Sequence, residues 1–335
     1  RVTAMKEKGY RKFLKDKNVL VTGGAGFIGR GLVKRILSYK PNAVRVFDID
    51  ENALHDLEIR LNDNRARFLI GDVRDKERLE RAMEGANIVV HAAALKQVPL
   101  CEYNPFEAVK TNILGAQNVI EAAIDHNIKK VMAVSTDKAV NPVNLYGATK
   151  MCMEKLFIAA NVYVGGERQT RMSCARYGNV VGSRGSVIPL FKKQKASGII
   201  TITDERMTRF WITLKQGVEF VIKCIEIMHG GEIFVPKIPS MRVTDLARVI
   251  APECKIEYIG VRPGEKINEC LLTEDEARHS LEFEDFFVIE PEHPWWTTDK
   301  WKNGTFLPDG FRYTSDKNEK WLAPKELKQM LVEVS

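Results

Sequence analysis

The run 135-STDKAVNPVNLYGATK-150 sets four titratable side chains at spacings that could do chemistry. Asp137 and Lys138 are adjacent, Tyr146 follows eight residues past the Lys, and Lys150 four past the Tyr. Residues four apart share one face of a helix, so Tyr146 and Lys150 project together. A phenol, with a pKa of about 10, is a poor base near neutrality, and a nearby ammonium favours its phenolate form. A tyrosinate can take a proton from a hydroxyl while the attached carbon loses hydride to a nicotinamide. Thr136, just upstream, can hydrogen-bond the same hydroxyl. Alone, Tyr-x-x-x-Lys is common in helices, and an Asp-Lys pair is ordinarily a solvated or salt-bridged loop. The surroundings decide.

Those surroundings begin with 22-TGGAGFIG-29, whose glycines fall between an apolar strand and a helical pattern. Gly23 allows a tight turn, Gly26 lets the backbone approach a pyrophosphate, and Gly29 permits close helix–sheet packing. The helix N-terminus attracts phosphates. The bland alternative is a tight turn without a ligand, but a full βαβ pattern around the loop favours dinucleotide binding. Asp48 ends the second apolar run in 44-VRVFDID; a carboxylate there suits an adenosine ribose and repels a 2′-phosphate, which favours NAD over NADP. Neither Arg45 nor Arg60 is placed to hold such a phosphate. Asp72, in 71-GDVRD, either meets the adenine amine or caps the next helix.

The elements that must position these groups alternate along the first two-thirds of the chain. Apolar runs at 18, 43, 66, 87, 130 and 172 are separated by helical patterns, including a long one over 106–126 and another around 146–163. This predicts an α/β fold, a doubly wound parallel sheet of Rossmann type. From about residue 181, Gly, Pro and basic residues interrupt the alternation. One helix (213–229) and one strand (232–235) return to the sheet, and the rest forms a smaller lobe over the strands' carboxyl ends. The expected division is a basic arm over 1–15, a dinucleotide domain over 16–180 and 211–240, and a substrate lobe over 181–210 and 241–335. Pro324 falls in the first turn of a final helix.

Bulk properties fit that picture. The chain has 335 residues, 44% hydrophobic, with a formal charge of +7. Residues 1–17 carry a net +5 of it, so the remainder is nearly neutral, which argues against a nucleic-acid partner. The six cysteines form no Cys-x-x-Cys and read as small buried hydrophobes in a reducing compartment, not as disulfides or metal ligands. No apolar run approaches the ~20 residues of a membrane span. A cytoplasmic protein is expected.

The combination T-G-G-A-G-F-I-G, H-A-A-A and Y-x-x-x-K resembles the extended short-chain dehydrogenase/reductase superfamily. Further motifs, namely S-T-D-K-A at 135–139, H-A-A-A-L-K at 91–96, E-Y-N-P at 102–105, R-Y-G-N-V at 176–180, M-T-R-F at 207–210 and R-P-G-E-K at 262–266, resemble the UDP-N-acetylglucosamine 4,6-dehydratases. The resemblance is to their inverting branch, related to CapD-like polysaccharide proteins. It runs from about residue 16 to the final helix. Many relatives carry an N-terminal membrane domain, which is not expected here, and others carry basic residues after the second strand and use NADP.

The resemblance implies oxidation at carbon 4 of a UDP-sugar, loss of water across carbons 5 and 6, and hydride return to carbon 6. It implies catalytic roles for Thr136, Asp137, Lys138, Tyr146 and Lys150, with Asp137 as acid and Lys138 as base. As a base Lys138 must be neutral, its pKa lowered by desolvation or by Lys150 and Lys96; Asp137 must be held protonated. The resemblance further implies an NAD site at Gly23, Gly26, Phe27, Ile28, Gly29, Asp48, Asp72, Val73, Ala92 and Ala93, joined by Tyr146 and Lys150. For the substrate it implies Lys96, Asn179, Arg209, Arg262 and Glu265. His91 reads as structural, and Trp295, Trp296 and Trp301 as packing of the C-terminal lobe. Two rivals stay open. A UDP-hexose 4-epimerase needs the Tyr and the cofactor but no acid–base pair. A non-catalytic nucleotide-sugar-binding protein would need none of the set. A homo-oligomer is expected, with 106–126 and 145–164 forming a bundle between subunits.

Overall fold

The structure, a computed structural model, describes residues 12–165, 167–183, 187–292 and 298–332. The basic arm up to residue 11, Trp295 and Trp296 lie outside the described residues.

Short apolar-rich runs form the parallel strands β1 (Asn18–Thr22), β2 (Ala43–Asp48), β3 (Ala66–Ile70), β4 (Ile88–His91), β5 (Lys130–Thr136), β6 (Arg171–Tyr177) and β7 (Ile233–Pro236). Their order across the sheet is β7-β6-β5-β4-β1-β2-β3. The chain leaves β1 in one direction and β4 in the other, so the sheet reverses its winding between β1 and β4, where such folds bind ligands. β4 is buried throughout and β1 nearly so, as expected for strands covered on both faces. Helix α1 (Phe27–Leu37) packs against α6 (Leu214–Ile227). The other layer comprises α3 (Lys76–Met83), α4 (Gly115–Asp125) and α5 (Leu145–Ala159), which pack in a row. Between α1 and α3 in sequence, α2 (Glu51–Leu61) lies against β2 and β3.

Three features differ from the sequence expectations. The long helix over 106–126 is continuous but not α throughout: Pro105–Val109 is α-helical, Lys110–Leu114 is a π turn, and α4 follows without a break. The last part of the chain does not all belong to a separate lobe. Phe286–Ile289 runs antiparallel beside β7, and Ser280–Glu282 and Thr305–Phe306 extend the same sheet. Antiparallel edge strands need no crossover helix, so the alternation that marks the parallel strands does not announce them. Trp301 correspondingly packs on this sheet, edge-on to Phe234 and Phe283, and not in a separate lobe.

A second hydrophobic core does exist. Val181, Ile188, Phe191, Ile200, Trp211, Met241 and Leu246 form it, closed by Leu327 of the final helix Pro324–Val332. The six cysteines are unpaired, and four of them are buried. Among the described residues, no helix is long and apolar enough to cross a membrane.

Candidate active site

The glycine loop is built by backbone contact. Gly23 has φ +64°, and a Cβ there would lie 2.6 Å from the Ala93 nitrogen. A Cβ on Gly29 would meet the Gly23 carbonyl oxygen at 2.0 Å, so the first turn of α1 can approach the loop only without a side chain. A cavity of about 390 Å³ opens at the carboxyl ends of the strands. It is lined by Gly23, Gly26, Asp48, Asp72, Val73, Ala92 and Ala93, which are seven of the expected cofactor residues. Phe27 and Ile28 sit half-buried in the first turn of α1, and Gly29 is buried beneath the loop.

Asp48 is held in place: Oδ2 accepts from the Ala25 amide at 2.9 Å and Oδ1 from the Asp50 amide at 3.1 Å. Arg45 donates to the carbonyls of Ala82 and Glu84 at the end of α3, away from the cavity. Asp72 accepts from Arg74 Nε at 2.7 Å, and Arg74 also reaches Glu107 at 2.6 Å. The cap of α3 is Asp75, which leaves Asp72 facing the cavity.

The second cluster grows from the end of β5. The strand stops at Thr136, whose hydroxyl accepts from the Lys138 amide at 3.3 Å and closes the 3-10 turn Asp137–Ala139. Asn144 then caps α5 by accepting from the Gly147 amide at 2.8 Å. A Cβ on Gly147 would meet the Lys138 carbonyl oxygen at 2.2 Å, so this glycine lets the helix start against the turn. Tyr146 thereby comes beside Thr136 and faces Lys138. One turn later Lys150 Nζ donates to the Val134 carbonyl at 2.8 Å and to Met153 Sδ at 3.0 Å. All five expected catalytic residues thus meet around the end of β5.

Asp137 is fully buried, while Lys138 keeps 27% of its side chain exposed. Lys138 Nζ lies 3.0 Å from Asp137 Oδ1, 3.4 Å from Asn179 Oδ1 and 3.4 Å from Glu269 Oε1. An ammonium has three protons, and each finds an acceptor. Asp137 Oδ1 also accepts from the Thr136 hydroxyl at 3.0 Å, whereas its buried Oδ2 has no hydrogen-bond partner.

The proton states correct one sequence expectation. Burial alone would lower the Lys138 pKa, but the charges of Asp137 and Glu269 outweigh it and hold the ammonium above the usual lysine range. The net lowering expected from desolvation, Lys150 and Lys96 is therefore replaced by a rise. Burial raises the Asp137 carboxyl, against the pull of Lys138, in the direction expected of an acid. Tyr146 is pushed up to about 12, chiefly by burial; the ammonium that pulls it back is Lys138. Lys150 is lowered to about 8, chiefly by burial.

Glu269 is the residue that the sequence motifs missed. Its side chain is 3% exposed, and it reaches Lys138, Arg209 Nε at 3.7 Å and Lys266 Nζ at 3.7 Å. It lies three residues past the R-P-G-E-K motif, and nothing in its own spacing marks it.

The expected substrate residues are less tightly gathered. Asn179 touches Lys138. Arg209 donates to the carbonyls of Thr208, Lys266 and Ile267, so its guanidinium clasps the segment that carries Glu269. Arg262 is exposed, and its carbonyl accepts from the Glu265 amide at 3.1 Å. Glu265 Oε2 is buried without a hydrogen-bond partner. Lys96 lies exposed on the loop after β4.

Residues 19–291 match the family described as polysaccharide biosynthesis protein. Over 321 residues the chain is 50% identical to a Campylobacter jejuni protein named UDP-N-acetylglucosamine 4,6-dehydratase (inverting), covering 93% of this chain and 96% of the relative. It is also 43% identical over 284 residues to a UDP-glucose 4-epimerase of Rickettsia conorii, covering 82% and 83%. The X-ray structure of Pen from Bacillus thuringiensis superposes with a TM-score of 0.88 at 43% identity, over 96% of this chain and 98% of that one. A dTDP-glucose 4,6-dehydratase from Streptomyces venezuelae, solved with NAD and TYD bound, shares the fold at a TM-score of 0.66 and 22% identity, over 75% and 87%.

Proposed function

The chain belongs to the polysaccharide biosynthesis protein family, with the fold of the extended short-chain dehydrogenases/reductases, and on that premise we propose that it is a UDP-N-acetylglucosamine 4,6-dehydratase of the inverting kind. The observation that carries this is the fully buried Asp137 in contact with Lys138, set beside Tyr146. Epimerisation at carbon 4 needs no such acid–base pair. The reading that the Rickettsia relative favours, a 4-epimerase, leaves the pair without work.

The cofactor is NAD, not NADP. Asp48 presents a fixed carboxylate at the cavity, and Arg45 is committed elsewhere. Bound there, the nicotinamide supplies the hydride acceptor for carbon 4 and the donor for carbon 6. The chain's own groups handle protons. Tyr146 accepts the proton of the carbon 4 hydroxyl, with the Lys138 charge favouring the phenolate. The resulting ketone acidifies carbon 5. A proton shift along the 3.0 Å contact from Lys138 to Asp137 turns their ion pair into an amine and a carboxylic acid. The amine takes the carbon 5 proton, and the acid protonates the departing carbon 6 hydroxyl as water. Lys138 then returns a proton to the opposite face of carbon 5 once the sugar has turned against it, and this change of face inverts the centre. Thr136 lies beside Tyr146 and donates to Asp137, so its hydroxyl can relay the proton gained by the phenol to the carboxyl that lost one.

The second core and the 262–269 segment form the nucleotide-sugar lobe. Arg262 binds the pyrophosphate, and Glu265 accepts from the uridine ribose. Exposed Leu100, Tyr103, Phe106 and Tyr163 support a homo-oligomer built on the helices around α5.

The test is incubation with UDP-N-acetylglucosamine and NAD in deuterated water, followed by NMR and mass spectrometry. A 4-keto-6-deoxy product with deuterium at carbon 5 and inverted couplings is expected. A product of unchanged mass, inverted at carbon 4, would make the protein an epimerase.

A further inference from the structure

The proposal that follows rests on the dehydratase reading. Lys138 is flanked by two buried carboxylates, and the reaction above uses only Asp137. Glu269 is delivered from a segment 131 positions away. Its backbone amide donates to Ser315 Oγ at 2.9 Å. Its Oε1 faces Lys138 at 3.4 Å and Arg209 at 3.7 Å, and its Oε2, which has no hydrogen-bond partner, faces Lys266 at 3.7 Å. Three cations around one carboxylate keep it ionised: burial would raise its pKa, but Lys138, Arg209 and Lys266 together lower it. Asp137 has Lys138 as its only cation contact among the described residues, and the negative charge of Glu269 pushes its pKa further up. The two carboxylates are therefore driven apart, one toward the acid and one toward the permanent anion.

We propose that Glu269 is a positioning residue for the dehydration: a fixed negative charge that holds one proton on the Asp137–Lys138 pair and fixes the pH range in which that pair can serve as acid and base. Glu269 need not touch the sugar to do this. The productive pair carries one proton in total. A second proton blocks the base, and loss of the only proton removes the acid. Each of the two macroscopic pKa values belongs to the pair. A negative charge beside Lys138 raises both. The groups that face the pair are Tyr146 and Thr136 on its own side, Asn179 from the strand Asn179–Val180, Arg209 from the strand Thr208–Ile212, and Glu269 with Lys266 from the 262–269 segment. Of the charges outside the pair, Arg209 opposes the effect and Glu269 outweighs it at Lys138.

The measurement is the pH profile of kcat for wild type, Glu269→Gln and Glu269→Asp, with NAD and UDP-N-acetylglucosamine saturating and the product identified by NMR. Gln keeps the shape and removes the charge. Both limbs of its profile should move toward acid, by about one to three pH units. Asp keeps the charge on a shorter arm, so its limbs should stay near those of wild type or move only part-way in the same direction. A Glu269→Gln enzyme with reduced kcat and unmoved limbs would reduce Glu269 to a packing role and overturn the proposal. If the Gln variant does not fold, the Asp variant decides: limbs displaced toward alkali would overturn it. A wild-type enzyme that makes no 4-keto-6-deoxy sugar would instead sink the dehydratase reading, so the two failures are distinct.

Discussion

At the scale of single residues, proton affinity is set by what burial removes and what neighbouring charges restore. Lys138 and Lys150 are both lysines near the end of β5, yet one is raised and the other lowered. The difference is that Lys138 meets two carboxylates, whereas Lys150 donates to a carbonyl and a thioether. Replacing Lys138 by Met should leave the fold intact and abolish water loss, as read by NMR of the product; full dehydratase activity would remove Lys138 from the mechanism. His91 gives a stability prediction. It is buried, bonded through Nδ1 to the Thr22 hydroxyl at 2.8 Å and stacked on Phe157. Burial, and next the charge of Lys150, lower its pKa from 6.5 to about 3. Between those values the unfolded chain binds a proton that the folded chain refuses, so stability falls as pH drops from 6.5 toward 3. The loss by pH 5 is about 2 kcal/mol. In denaturant unfolding, His91→Gln should lose less between pH 7.5 and pH 5 than wild type; parallel curves would refute the assignment.

Elements act here mainly through their ends. The N-terminus of α1 closes on the glycine loop, and that of α5 places Tyr146 on the Asp137 turn. Asn144 does two jobs at the second of these. Its Oδ1 caps α5, and its Nδ2 donates to the Gly264 carbonyl at 2.8 Å, tying the helix to the loop between Arg262 and Glu265. Asn144→Ala should cost about 1 kcal/mol of stability from the lost cap. It should also raise KM for the UDP-sugar several-fold more than it lowers kcat, because the loop loses its anchor. Steady-state kinetics beside thermal unfolding separate the two effects; an unchanged KM would mean that the tie does not position the loop.

Across the whole molecule, buried ion pairs join segments far apart in the chain. Arg176 on β6 is the clearest. Its guanidinium binds Glu154 of α5 at 2.7 and 2.9 Å, Glu276 at 2.8 and 3.1 Å, and the Leu271 carbonyl at 3.0 Å. Glu276 belongs to the short helix Glu274–Ala277, so one side chain fastens that helix to the main parallel sheet. Arg176→Met would leave two carboxylates with their cation removed, at an expected cost of about 3–5 kcal/mol. Urea unfolding checks this, and a loss below about 1 kcal/mol would show that the carboxylates find other partners.

What the sequence alone determined is what depends on short spacing. Glycines three apart between a strand and a helix specify the phosphate turn, because the backbone there admits no side chain. Tyr146 and Lys150 fall on one helical face because the helix repeats every 3.6 residues. The alternation of apolar runs and helices specifies the parallel sheet, and with it where Asp48 and Asp72 end up. What only the tertiary structure decided depends on segments far apart in the chain. The antiparallel edge strands carry no crossover signal, and Trp301 follows them into the main core. Glu269 has no motif of its own, and Arg209, expected among the substrate residues, also donates to three carbonyls. The proton affinity of Lys138 departs from the sequence expectation for the same reason: a pKa is fixed by burial and by the nearest opposing charges, and one of those charges arrives from 131 positions along the chain.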